Sequence, residues 1–128
     1  TASANDITKL TADLNALVAA TPIAFTKGKA TLDPSAAAVL QRVAGVAKRF
    51  EGVAIEVQGH TDSVGDATRN LTLSTARAQR VRTELVTLGV PPADLTAKGF
   101  GSTQPVLDNN GVENPELSRR VVFGVTGR

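Results

Sequence analysis

Asp62 and Arg77 are the two residues of this sequence best placed to do recognition chemistry. Asp62 lies in Gly59-His60-Thr61-Asp62-Ser63-Val64-Gly65, just beyond an alternating stretch, where loop residues after a strand can project into a cleft. Arg77 lies in Asn70-Leu71-Thr72-Leu73-Ser74-Thr75-Ala76-Arg77-Ala78, within a helical pattern. Asn70 and Arg77 are seven positions apart and so share one edge of that helix, beside its apolar stripe. From there Arg77 can reach over the sheet edge toward the loop of Asp62. Two chemistries fit such a pair. One is a structural ion pair that ties the loop to the helix, a contact usually worth little. The other is a receptor for a zwitterion, with the carboxylate taking an ammonium and the guanidinium giving a carboxylate two parallel hydrogen bonds. Spacing alone leaves both open.

His60, the single histidine, invites a metal or catalytic reading beside Asp62. Two ligands are too few for a zinc site, which takes three or four. No nucleophile elbow is present, and a serine triad cannot be assembled from a His followed directly by Thr-Asp. No catalytic residue, metal or other cofactor is therefore expected, and His60 reads as a strand-end residue hydrogen-bonded to nearby backbone. Asp62, Ser63, Gly65 and Asp66 lack the spacing and terminal Glu of a calcium loop.

The elements that must hold these residues follow from periodicity. Ile7, Leu10, Leu14 and Leu17 predict an amphipathic helix over residues 6–19, capped by Asn5 or Asp6 and ended by Pro22. It is either the tail of a preceding module or a helix packed on the domain's own core, and residues 1–21 are set apart as an N-terminal helix and linker. Residues 22–128 form the domain proper. Ile23–Thr26 reads as a short strand. Asp33-Pro34 starts a helix with Asp as cap and Pro in the first turn, and Val39, Val43, Val46 and Phe50 mark its buried face before Gly52. Val53, Ile55, Val57 and Gly59 alternate with Ala54, Glu56, Gln58 and His60, a strand with one polar face. The second core helix carries Leu71, Ala78, Val81, Leu85 and Leu88 and stops at Gly89 and Pro91. Leu95–Phe100 is a third strand, residues 101–118 a long polar loop, and Val121, Phe123 and Val125 mark a last strand. The order β-α-β-α-β-β predicts a two-layer α/β sandwich, a mixed four-stranded sheet with helices on one face, preceded by the short helix.

Composition bounds the partners. At 128 residues the chain suits one hydrophobic core, built from aliphatic residues because Phe25, Phe50, Phe100 and Phe123 are its only aromatics. A formal charge of +2, with Arg42, Lys48, Arg49, Arg69, Arg80 and Arg82 scattered rather than in a stripe, gives no footprint for nucleic acid. Cysteine is absent, which excludes disulfides and thiolate metal sites. No apolar run approaches the roughly 20 residues of a membrane span, so membrane attachment would have to come from segments outside these residues.

Four segments, in order, resemble one family. They are Gly59-His60-Thr61-Asp62-x-x-Gly65, then Asn70-x-x-Leu73-Ser74-x-x-Arg77-Ala78, then Gly99-x-Gly101 with Pro105, then Arg119-Arg120-Val121. Together they resemble the OmpA-like C-terminal domains of outer-membrane porin-like proteins, peptidoglycan-associated lipoproteins and flagellar stator proteins. The likeness runs from about Ile23 to Val125. It implies a β-α-β-α-β-β fold and non-covalent binding of peptidoglycan through the diaminopimelate of its stem peptide, in the bacterial cell envelope. By that resemblance Asp62 and Arg77 hold the free amino-acid end, Arg119 shapes the pocket, Asn70 orders the loop, and Thr61 and residues 26–32 contribute. Ser118 stands where the family usually has Asn, and Arg69 where an aromatic is common. The competing expectation is a protein-interaction module of the same fold that does not bind wall.

Overall fold

Alternation along Val53–His60 produces β1, whose Val53, Ile55 and Val57 are buried while Ala54, Glu56 and Gln58 are half-buried on the other face. The computed structural model describes residues 2–128; Thr1, the first residue of the expected N-terminal segment, lies outside them. In chain order the elements are α1 (Ala4–Ala20), α2 (Ala36–Ala47), β1, α3 (Ala67–Thr87), a 3-10 turn (Pro92–Asp94), β2 (Leu95–Gly101), α4 (Pro115–Ser118) and β3 (Arg120–Gly127). The sheet order is β2-β1-β3. β1 runs parallel to β2, with α3 as the crossover, and antiparallel to β3.

The class is the expected one, a mixed sheet with helices over one face, but the sheet has three strands rather than four. Residues 23–26 fold back on residues 31–33 instead of joining it. Thr26 N–H donates to Thr31 O at 2.8 Å and Asp33 N–H to Ala24 O at 3.0 Å, around a turn in which Gly28 has φ +71°. Those backbone groups are satisfied within the hairpin, so nothing drives them onto a sheet edge.

Helix α1 is capped by Ser3, not Asn5 or Asp6. Ser3 Oγ accepts the Asp6 N–H at 3.1 Å, and the Asp6 carboxylate accepts the Ser3 N–H at 3.3 Å, a reciprocal capping box. Its Leu10, Leu14 and Val18 belong to the same core as α2, α3 and the strands, the packed alternative of the two expected. The Asn15 amide also bonds both the N–H and the C=O of Phe123, each at 2.9 Å. One side chain thereby closes the middle of the β3 edge, which would otherwise offer unpaired backbone to another strand.

Two positions depart from the periodic pattern on α3 and β1. Leu71, expected in the apolar stripe, is 47% exposed, and Ser74 is fully buried in its place. The cause is backbone approach. A Cβ on Gly59 would lie 2.2 Å from Ser74 O, and one on Gly99 2.2 Å from Thr75 Oγ1. Helix and strands touch there through glycine, leaving no room for a leucine, and Ser74 fits because its hydroxyl is satisfied. It donates to Leu71 O and accepts the Gly101 N–H, each at 2.9 Å. His60, expected on the polar face, is only 3% exposed and stacks on Phe100 with ring centroids 5.0 Å apart.

Candidate functional site

Asp62 is positioned by the end of β1 and the start of α3. Thr61, buried, donates its N–H to Gly101 O at 2.8 Å and its hydroxyl to Asp62 O at 2.8 Å. Asn70 Nδ2 donates to Val64 O at 3.0 Å and, at a longer 3.4 Å, to Asp62 O. Asp66 caps α3 by accepting the Arg69 N–H at 2.9 Å. The far side is held by Glu113, whose carboxylate accepts both the backbone N–H and the hydroxyl of Ser63. Glu113 was not legible as a site residue, because the contact crosses 50 positions between two loops.

The Asp62 carboxylate bonds Arg119, not Arg77. Its Oδ2 accepts Arg119 Nη1 at 2.6 Å and its Oδ1 accepts the Val64 N–H at 3.1 Å. Sheet register explains the choice. β1 and β3 pair with His60 opposite Arg120, so the residue before Arg120 meets the loop that leaves His60. An ionised carboxylate has about four acceptor positions, and these two bonds leave room for a ligand cation. Arg119 is half exposed, so its pairing with Asp62 serves orientation more than stability.

Arg77 reaches the opposite wall. Its Nε–H donates to Lys29 O at 2.9 Å and Nη2 to Thr26 O at 3.5 Å, with its guanidinium 4.9 Å from the centre of the Phe25 ring. That uses one edge of the guanidinium fork and leaves Nη1 and the outer N–H of Nη2 for an end-on carboxylate. Among the described residues Arg77 has no carboxylate partner. Burial, and then the like charge of Arg119, pull its pKa below the ordinary arginine value, the signature of a cation short of anionic company.

Asp62, Arg77 and Arg119 line one cleft of about 700 Å³, walled by Phe25, Lys27 and Gly28 of the hairpin, by Val64 and by Val121. Thr61 and Asn70 stand outside that lining and act on the loop. Ser118 also lies outside it. Buried, it donates to Asn114 O at 2.7 Å and accepts the Val106 N–H at 2.9 Å, fastening the long loop to α4. Phe25 and Arg120 also line the cleft; neither was named as a site residue from sequence, although Arg120 belongs to the Arg119-Arg120-Val121 segment.

His60 lines the cleft too, and neither ring nitrogen has a partner, contrary to the expected backbone bond. The reason is local. Adjacent backbone groups are consumed by the sheet, while Arg120 turns to Gln104 O and Ser118 O. Burial, and then the Arg120 charge, lower the His60 pKa from 6.5 to about 4. The neutral form is favoured by folding, so its stabilising effect is complete above pH 6.5 and is lost as pH falls from there toward 4. With some solvent screening this amounts to about 1–3 kcal/mol. His60→Phe keeps the stacking and removes the titration. Urea unfolding at pH 7.5 and 4.5 should show wild type losing that much more than the variant, and equal losses would contradict this account.

Comparison with known proteins identifies the family. The OmpA family matches residues 24–119. Outer membrane porin F of Pseudomonas fluorescens is 35% identical over 103 residues, covering 80% of this chain and 32% of that protein. The peptidoglycan-binding protein ArfA of Mycobacterium bovis is 35% identical over 100 residues, covering 78% of this chain and 31% of its own. The chain thus spans about a third of the length of either relative. In structure, the peptidoglycan-associated lipoprotein from Burkholderia pseudomallei superposes with a TM-score of 0.70 at 28% identity, covering 91% of this chain and 99% of that one. An outer-membrane protein and a lipoprotein among its relatives mark this as a family of the bacterial cell envelope. With the family match running from the hairpin through the Asp62 loop to Arg119, the chain belongs to the OmpA family.

Proposed function

We propose that the domain is a non-catalytic anchor that binds peptidoglycan, gripping the free amino-acid end of diaminopimelate in the stem peptide. The observation that carries this is one cleft lined by two opposite charges that are not bonded to each other, Asp62 and Arg77. Asp62 takes the ammonium, with Arg119 and the Val64 N–H holding its carboxylate in place. Arg77 takes the carboxylate end-on through the fork edge that the hairpin leaves open, with the Phe25 ring beside the guanidinium. Peptidoglycan binding by the named relative ArfA and a peptidoglycan-associated lipoprotein of the same fold support the polymer as ligand.

Charge matching sets the expected order of ligands. Free diaminopimelate satisfies both residues. An amidated diaminopimelate still accepts one hydrogen bond from Arg77 but loses the charge-assisted pair. A lysine-type stem keeps the ammonium and leaves Arg77 desolvated without an anion, the costliest case. Titrating the three muropeptides while following the Asp62 and Arg77 backbone amides by NMR checks the order. Equal affinity for the lysine-type peptide would remove carboxylate reading from Arg77. No binding of any muropeptide would favour the protein-interaction module instead.

A further inference from the structure

A second groove, of about 860 Å³, runs between residues 28–31 of the hairpin turn and the face of α3 that bears Arg69, Leu73 and Ala76. It joins the first cleft at Gly28 and Val64, which line both. The second groove therefore adjoins the cleft of Asp62 and Arg77. Two cations stand on its opposite walls, Lys29 on the turn and Arg69 on α3, and neither is in an ion pair among the described residues. The one carboxylate of the groove, Asp66, is engaged in capping α3. Two cations against that one carboxylate leave the lining with a net positive charge. No aromatic ring lines it to stack on a sugar face, which favours a charged peptide segment over the glycan.

The two sites are also mechanically joined. The carbonyl of Lys29 is the acceptor of Arg77 Nε–H, and the Lys29 N–H donates to Thr26 O at 3.0 Å. Arg77, which lines the first cleft, thereby fixes the backbone of Lys29, which lines the second groove.

We propose that this groove is an anion subsite, in which Lys29 and Arg69 hold a second carboxylate of the same ligand, that of the acidic stem-peptide residue adjoining the diaminopimelate. This rests on the function proposed above. Amidation of that carboxylate would be read by this subsite independently of the state of the diaminopimelate itself.

The test uses two muropeptides, both with free diaminopimelate, that differ only in whether the neighbouring glutamate α-carboxyl is free or amidated. Calorimetry on the wild-type domain should give about fivefold tighter binding of the free acid, as expected for a solvent-exposed charge contact, with the gap narrowing as salt is raised. The Lys29→Gln, Arg69→Gln double variant changes only exposed side chains. It should bind both peptides equally, at the wild-type affinity for the amidated one. Wild type binding the two peptides equally overturns the subsite and leaves the diaminopimelate reading standing, as does a double variant that still discriminates. A folded wild type that binds neither peptide overturns both.

Discussion

Asp62→Ala is expected to abolish co-sedimentation of the domain with diaminopimelate-type sacculi while leaving it folded. Truncating one member of a charged recognition pair costs on the order of 2–5 kcal/mol, or about thirtyfold to several thousandfold in affinity. The fold should tolerate the change because both partners that lose a contact, the half-exposed Arg119 and the N–H of exposed Val64, can turn to water. Arg77→Ala should weaken binding as severely, by a compound route. It removes the carboxylate partner and also the bonds that hold Lys29 and Thr26, so the hairpin wall is released. Arg77→Lys separates the two contributions. An ammonium keeps the charge but not the planar fork, so binding should fall to an intermediate level. Near-UV circular dichroism together with the sedimented fraction gives the readout. Asp62→Ala sedimenting like wild type would sink the assigned role of the pair.

Gly59→Ala and Gly99→Ala should be the most damaging single methyl additions in the domain. At Gly59 the new methyl would meet the Ser74 carbonyl at 2.2 Å; at Gly99 it would meet Thr75 Oγ1 at 2.2 Å and Thr75 N at 2.4 Å. Three of the crowded atoms belong to the peptide backbone or to a side chain already bonded to it, so a rotamer change gives no relief. Helix α3 would have to back away from β1 and β2 by about 1 Å, at a cost of about 2–4 kcal/mol. Because α3 carries Arg77 and Asn70, and Gly59 itself lines the cleft, wall binding should decline along with stability. Gly45→Ala is the matched control. It lies within α2 with nothing within 4 Å of the added methyl, and it should gain about 0.5–1 kcal/mol from helix propensity. Denaturant midpoints of the three variants check the contrast. Gly59→Ala unfolding at the wild-type midpoint would mean the close helix–strand approach does not exist.

The sequence by itself determined the parts of this protein whose information is local. The alternation of Val53, Ile55 and Val57 made β1 legible, as the apolar spacing made α2 and α3, because each element's buried face repeats with its own geometric period. The placement of Asp62 beyond a strand and Arg77 along a helix was equally local, and both do line one cleft. Tertiary structure alone decided the partners. Asp62 took Arg119 across 57 positions, and Arg77 took the Lys29 carbonyl across 48. Asn15 found the β3 edge across 108, and Glu113 found Ser63 across 50. Periodicity carries no record of such pairs. The Asp62–Arg119 pair follows from the β1–β3 register, which sets His60 opposite Arg120, and the others from how the helices and loops pack around the sheet. The missing fourth strand and the exposed Leu71 have the same origin. Residues 23–26 do carry a strand-like pattern, and Leu71 does fall on the apolar stripe. Whether a strand-like segment joins a sheet, or an apolar side chain is buried, depends on what else competes for the same backbone groups and the same volume. Here the hairpin satisfied the first, and the contact of Gly59, Gly99 and Gly101 with α3 took up the second.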